Sequence, residues 1–396
     1  DLLRALHDEL LELGVPDVSI DEHDYVIARL PGNVDVDVPA VGFIAHVDTS
    51  PEMSGSNVQP QLHENYGGGA LELGHGYTLT PERSPELLDH LGHTIVTTDG
   101  TTLLGADNKA GVAEIMTLLE RLMADPAPPH GPVHVAFTYD EEIGRGTETF
   151  DVEGFGAEYA YTVDGETVGH IENETFCADA ARVLLRGVNV HPGYAKGKMV
   201  NALKMAARFI ALLPEGMCPE RTEGRQGYVH PVAIEGTVDE VQLKLILRDF
   251  DVEPLKAQAQ LLRDIGEKVA AEHEGGQVEV AVEESYRNMR LVLDEHPQVV
   301  ELALEATRRA GLEPKLSQIR GGTDGAHLSF NGLPTPNIFT GGHLYHSRYE
   351  WVAVEGMLAT VDTLVALCGL WVERARAGEA PRNPRAAATA AAGGAA

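Results

Sequence analysis

The chain has 396 residues, 43% of them hydrophobic and 23% charged, a composition that suits a soluble globular protein of two or three domains with ample material for a buried core. Sixty-one acidic against 30 basic residues give a formal net charge of -31, a surface that repels nucleic acid and anionic membranes, so neither is expected as a partner. Three cysteines (Cys177, Cys218, Cys368), with no apolar run near the roughly 20 residues of a membrane span and no visible signal peptide, argue against a disulfide framework and for a reducing, cytoplasmic compartment.

The chain opens at Asp1, without a methionine, directly in a helical pattern through Leu2, Leu3, Leu6, Leu10 and Leu11. Part of the first helix is therefore expected to precede it, and a targeting segment upstream stays open. The run Val41–Val47 is nearly all apolar and predicts a strand buried on both faces, and residues 133–139 and 157–163 predict two more. Between the first two, Val112, Ile115, Met116, Leu119 and Leu122 recur at helical spacing, and Pro126, Pro128 and Pro129 then bar the helix from continuing.

From about Arg182 to Glu284 the grammar changes. Strand (183–190), helix (199–213), two strands (229–236 and 242–249), helix (255–272) and strand (277–282) follow in β-α-β-β-α-β order, which predicts a small inserted α+β domain with an antiparallel sheet. Helical pattern returns over 297–310. A last helix carries Met357, Leu358, Val361, Leu364, Val365, Cys368 and Trp371 on one stripe, where Cys368 reads as a small core residue. Beyond about Ala375 the composition turns Ala/Pro/Gly-rich, which predicts a disordered, solvated tail at 376–396. The expected organisation is an α/β domain in two parts, 1–181 and 286–375, around an insertion at 182–285.

Five places set a metal-ligand residue at a predicted strand end or in a turn: His46-Val-Asp48, Asp107-Asn-Lys109, Asp140-Glu-Glu142, Asp164-Gly165 and His346. In an open α/β sheet, sites form beyond the carboxyl ends of the strands. Imidazole and carboxylate donors without cysteine suit zinc, cobalt or manganese. Two histidines and three carboxylates hold two metals if one carboxylate bridges, and a metal pair is a standard device for peptide-bond hydrolysis.

The segments around those residues, 46–50, 105–111, 139–144, 162–165 and 345–350, closely resemble the metal-binding motifs of the peptidase T family. These are tripeptide aminopeptidases among the di-zinc exopeptidases that also include aminoacylase and carboxypeptidase G. The likeness continues through 187–193, 198–202, 286–289 and 319–325 and covers nearly the whole chain except the tail. It implies a di-zinc exopeptidase catalytic domain, a mixed sheet flanked by helices, with the insertion as a lid and dimerisation domain, and thus a homodimer. It implies two zinc ions per subunit, with cobalt or manganese as alternatives: His46 on one, His346 on the other, Asp107 bridging, and Glu142 and Asp164 each completing one shell. Asp48 would fix the tautomer of His46 without touching metal. Glu141 would be the general base, acting on a water between the metals. Two positions depart from the family: Asn108 stands where a second Asp is frequent, and Tyr139 where proline is common.

A tripeptide aminopeptidase must also measure the distance to the substrate carboxylate, and arginine's planar fork suits that group. Arg287, Arg290 and Arg320 are the candidates, the last beside a glycine-rich turn. By the resemblance, His191 reaches the partner subunit's active site and stabilises the developing oxyanion, and Asn201 adds a polar contact. Asp179 and Glu174 are alternatives for the substrate amine. Short peptides, mainly tripeptides, are the expected substrates. N-acyl amino acid deacylation or dipeptide hydrolysis on the same metals remains the alternative. A catalytically dead scaffold is disfavoured because five ligands and a base are all present, and a nucleotide-binding protein because no phosphate loop is found.

Overall fold

The structure, a computed structural model, describes residues 1–383. They form two compact units, one of residues 1–173, 289–318 and 323 onward, the other of residues 174–288 with 319–322. The inserted unit thus runs from 174 to 288, where the sequence pattern suggested 182 to 285.

The first unit is built on an eight-stranded sheet in the order Asp17–Ile20, Val26–Leu30, Val133–Thr138, Val41–His46, Tyr159–Gly165, Asn337–Phe339, His170–Thr175, Lys315–Ile319. The strands from Val133–Thr138 to Asn337–Phe339 run parallel, while Val26–Leu30 and His170–Thr175 pair antiparallel to them. Every residue of Val41–His46 is buried, as its apolar run requires. The Ala106–Leu122 helix lies against the Val41–His46 and Tyr159–Gly165 strands, and Gly111 allows the approach. A Cβ there would stand 2.0 Å from the Val163 carbonyl oxygen.

The Val354–Arg376 helix packs on the Pro297–Arg309 and Ala106–Leu122 helices. At 23 residues, with a mean hydropathy of 1.4 in its most apolar window, it is long and apolar enough to cross a membrane, contrary to the expectation from the sequence. Its stripe of Val361, Leu364, Leu367, Cys368 and Trp371 is buried in the core of this unit, and the Trp371 ring stacks on Tyr159. A smaller sheet orders Gly342–His343, Trp351–Ala353, Ile95–Thr98 and Pro60–His63. It frames the turn that carries His346.

The second unit has the β-α-β-β-α-β order. Its antiparallel sheet runs Tyr228–Gly236, Glu240–Asp249, Cys177–Arg186, Gln277–Tyr286. Val183, Leu185, Leu243, Met205, Phe209 and Leu262 join the sheet to the Ala202–Leu212 and Val252–Glu272 helices in one core. The first strand begins at Cys177, six residues before the expected start. The stretch Cys177-Ala-Asp-Ala-Ala181 has few β-branched residues, and cross-strand pairing up to Asp249 makes it a strand.

The solvated tail was expected from residue 376. Residues 384–396 lie outside the described residues, and the part before them is docked. Asn383 is buried and donates to the carbonyl oxygens of Glu158 and Gly332, both at 2.9 Å, and Arg382 pairs with Glu158 and Asp37.

Candidate metal centre

The parallel strands deliver the site at their carboxyl ends. His46 is the last residue of its strand. The neighbouring strand ends at Thr138, and the chain passes through Asp140 in the left-handed region (φ 64°) into a 3-10 turn over Glu141–Ile143. Asp164 stands at the end of the Tyr159–Gly165 strand. Asp107 opens the Ala106–Leu122 helix, where it and Asn108 have non-helical dihedrals, and the Asp107–Asn108 peptide is cis. His346 has a φ of 59° in the turn before Trp351–Ala353, a strained choice for a residue with a Cβ.

These five segments converge. His46 Nε2 lies 3.1 Å from Asp107 Oδ1 and 3.5 Å from Asp164 Oδ1. His346 Nε2 lies 3.1 Å from Asp107 Oδ2 and 2.9 Å from Glu142 Oε2. Two groups of three donors result, His46–Asp107–Asp164 and Asp107–Glu142–His346, each with one donor atom per residue all within 4.8 Å of one another. Asp107 belongs to both. Glu141 Oε2 stands 3.9 Å from His46 Nε2. The donors are imidazole nitrogens and carboxylate oxygens, the set that divalent zinc, cobalt or manganese takes. Glu142 Oε1 is buried without a hydrogen-bond partner, a polar atom whose desolvation is uncompensated unless a ligand meets it. The residues therefore fit a pair of metal ions.

Close-packed carboxylates and rings shift one another's acidity. Burial works against charge on His46, yet the Asp164, Asp107 and Asp48 carboxylates around it raise its pKa well above the ordinary value. Hydrogen bonds that the His346 ring donates to Asp107 and Glu142 raise its pKa to about 10. Burial opposes ionisation of Asp107, but His346 and His46 hold its pKa at about 2. Burial and the Asp164 charge push Glu141 well above the usual carboxylate range, and burial lifts Asp164 to about 6. Such displaced acidities cluster where charge is gathered for chemistry.

Three supporting carboxylates surround the donors. Asp48 Oδ1 is 3.2 Å from His46 Nδ1, on the ring edge opposite the donor nitrogen, and its two oxygens accept from the backbone N–H groups of Glu141 and Glu142. It thus orients a histidine and the acidic turn together. Glu350 accepts three backbone N–H groups of the 104–107 turn. Asp324 is buried, accepts from Thr138 Oγ1 at 3.2 Å and packs on Gly146. Burial raises its pKa to about 7. Sequence reasoning gave no role to Glu350 or Asp324, although both lie inside segments it singled out.

The remaining candidates have other partners. In the second unit, Arg287 donates to Asp179 Oδ1 at 2.7 Å and pairs with Glu284 at 2.6 Å. Glu174 pairs with Arg225, so both acidic candidates for the substrate amine already face arginine. Arg320 donates to the carbonyl oxygens of Gly224 (2.7 Å) and Gln226 (2.8 Å) and to Thr222 Oγ1 (3.0 Å), stacked over Phe176. Asn201 is the N-cap of the Ala202–Leu212 helix, accepting from Leu203 N–H at 2.9 Å. His191 is exposed and accepts from Gly193 N–H at 3.1 Å. Arg290, in the first unit, pairs with Asp294 at 3.3 Å. Of the two departures, Asn108 is buried with both amide atoms unpaired by hydrogen bonds, and the Tyr139 hydroxyl donates to the His23 carbonyl oxygen at 2.7 Å.

Comparison with known proteins identifies the family of the chain. The family model for peptidase family M20/M25/M40 matches residues 93–369. Peptidase T of Vibrio cholerae serotype O1 is 52% identical over 365 residues, covering 92% of this chain and 89% of that protein. Among solved structures, aminopeptidase PepT from Bacillus cereus superposes with a TM-score of 0.75 at 26% identity, covering 94% of this chain and 93% of that one. A tripeptidase from Staphylococcus aureus superposes at 0.76 and 23% identity, covering 94% and 92%. The chain therefore belongs to peptidase family M20/M25/M40 and, within it, to the peptidase T family.

Proposed function

We propose that this peptidase is a di-zinc aminopeptidase that removes the N-terminal residue from tripeptides. The observation that carries the reading is the shared carboxylate, Asp107, with one oxygen toward each histidine. His46, Asp107 and Asp164 would hold one metal, and Asp107, Glu142 and His346 would hold the other. Zinc fits the donor set, with cobalt or manganese as alternatives. When bound, the metals supply Lewis acidity and bring a water's pKa toward neutrality.

The chain's own groups do the rest. Asp48 holds the His46 ring with its Nε2 toward Asp107 and Asp164. Glu141 takes a proton from the attacking water and delivers it to the leaving amine. Its neighbour Glu142 faces His346 instead, so adjacent glutamates serve different tasks. Arg320 binds the substrate carboxylate. Its partners in the second unit are carbonyl and hydroxyl oxygens, whereas Arg287 and Arg290 already pair with carboxylates.

The second unit acts as lid and dimerisation domain, and His191 of the partner subunit stabilises the oxyanion. The free thiols of Cys177, Cys218 and Cys368 support a reducing, cytoplasmic setting. The test is product analysis on Ala-Ala-Ala beside the dipeptide, the tetrapeptide and the N-acetyl tripeptide. Release of alanine confined to the free tripeptide is expected, and cleavage of the acetylated peptide alone would move the assignment to a deacylase.

A further inference from the structure

The Ala106–Leu122 helix begins without a cap of its own. Its N-cap is Gly105, at φ 80°, with no side chain to accept the first N–H groups. Unpaired N–H groups at a helix start carry partial positive charge and seek an acceptor. Glu350, some 245 residues on, supplies it. Its Oε2 accepts from Leu104 N–H at 2.7 Å and Gly105 N–H at 2.8 Å, and its Oε1 accepts from Asp107 N–H at 3.0 Å. The residue is 1% exposed, so these are charge-assisted bonds made away from competing water.

Glu350 also ends the turn that bears His346. Its own N–H donates to Ser347 O at 3.2 Å, and Ser347 Oγ donates to Leu344 O at 2.7 Å. One carboxylate thus ties the turn carrying Asp107 to the turn carrying His346.

We infer that Glu350 is a positioning residue for the metal pair: by fixing the Asp107 turn against the His346 turn, it holds Asp107 where its two oxygens face two different histidines. The inference rests on Asp107 being the shared ligand. Partners behind a metal ligand typically set about 10–100-fold in metal affinity, and this one holds the ligand's backbone rather than its side chain.

The test uses chelator-treated wild type, Glu350→Gln, Glu350→Ala and Asp107→Asn. Zinc affinity is measured by competition with a chromophoric chelator, and Tm is measured with and without zinc. Both Glu350 variants are expected to bind zinc about 10–100-fold more weakly, and the rise in Tm on adding zinc should shrink. A residue that only stabilised the fold would lower both Tm values together and leave the zinc affinity of folded protein unchanged; that result overturns the inference. If Glu350→Ala does not fold, Glu350→Gln, which keeps the volume and one acceptor oxygen, decides. Wild-type zinc binding by Asp107→Asn would instead remove the shared-ligand assignment. Weak binding by Asp107→Asn beside wild-type binding by the Glu350 variants would overturn the role of Glu350 alone.

Discussion

Asp107 and His346 meet across 239 residues of sequence at 3.1 Å, while the other oxygen of the same carboxylate lies 3.1 Å from His46. One side chain at the head of a helix thereby joins a histidine from a central strand to a histidine from a distant turn. The division of donors into two triads follows from that placement.

Glu141 is expected to matter for turnover and not for metal. Replacing it with alanine should lower kcat by about 10²–10⁴-fold, the usual worth of a positioned acid–base group. Metal content measured by elemental analysis should stay at the wild-type level. Normal kcat in this variant would remove Glu141 from the mechanism.

Arg320 can be probed with a substrate that lacks the charge it is assigned to bind. Wild-type protein should prefer Ala-Ala-Ala over its C-terminal amide, mainly through KM. In Arg320→Ala that preference should collapse, with a loss on the free acid of about 10–100-fold, the scale of a charged hydrogen bond. Equal losses on acid and amide would mean that the guanidinium serves only the 222–226 loop it holds.

Gly111 is expected to be intolerant of any side chain. A methyl group there would meet Val163 O and the Asn108 side chain within 2.4 Å, driving the helix that carries Asp107 away from the strand that carries Asp164. Gly111→Ala should destabilise by about 1–3 kcal/mol or more, read from chemical denaturation, and should weaken metal binding with it. Wild-type stability would show that the helix can shift freely.

His343 makes stability depend on pH. It is buried, stacked on Trp351 at 4.6 Å, and burial lowers its pKa to about 4. An unfolded chain takes up that proton near 6.5. Between these values unfolding binds a proton, so stability should fall as pH drops from about 6.5 toward 4, by up to about 1.4 kcal/mol per unit. In chelator-treated protein, His343→Phe should remove one proton from the slope; an unchanged slope would contradict the assignment.

The buried strands and the donors at their ends were legible because apolar runs and short acidic motifs mark them directly. Val41–His46 carries its histidine on its last residue, and Asp164 likewise ends a run of buried positions. Asn201 is expected from the sequence to be a polar substrate contact inside a helix from 199, whereas the helix starts at Ala202 and Asn201 is its N-cap. Glu350 was not readable as a clamp on the Asp107 turn. Its three bonds go to backbone groups 243–246 residues away, and backbone acceptance leaves no side-chain partner to find. Asp324 escaped for a similar reason, because its importance comes from burial beside Thr138 and Gly146 and not from spacing. Arg287 shows the converse: an arginine in a suggestive motif whose charge is already met by Asp179 and Glu284.

The most direct measurement is a metal titration of activity. Chelator-treated protein would be assayed on Ala-Ala-Ala while zinc or cobalt is added in known equivalents. Two triads sharing Asp107 predict negligible alanine release without metal and a rise that saturates at two equivalents per subunit. Full activity in protein holding less than about 0.1 equivalent, or saturation at one, would contradict a two-metal centre built on these residues.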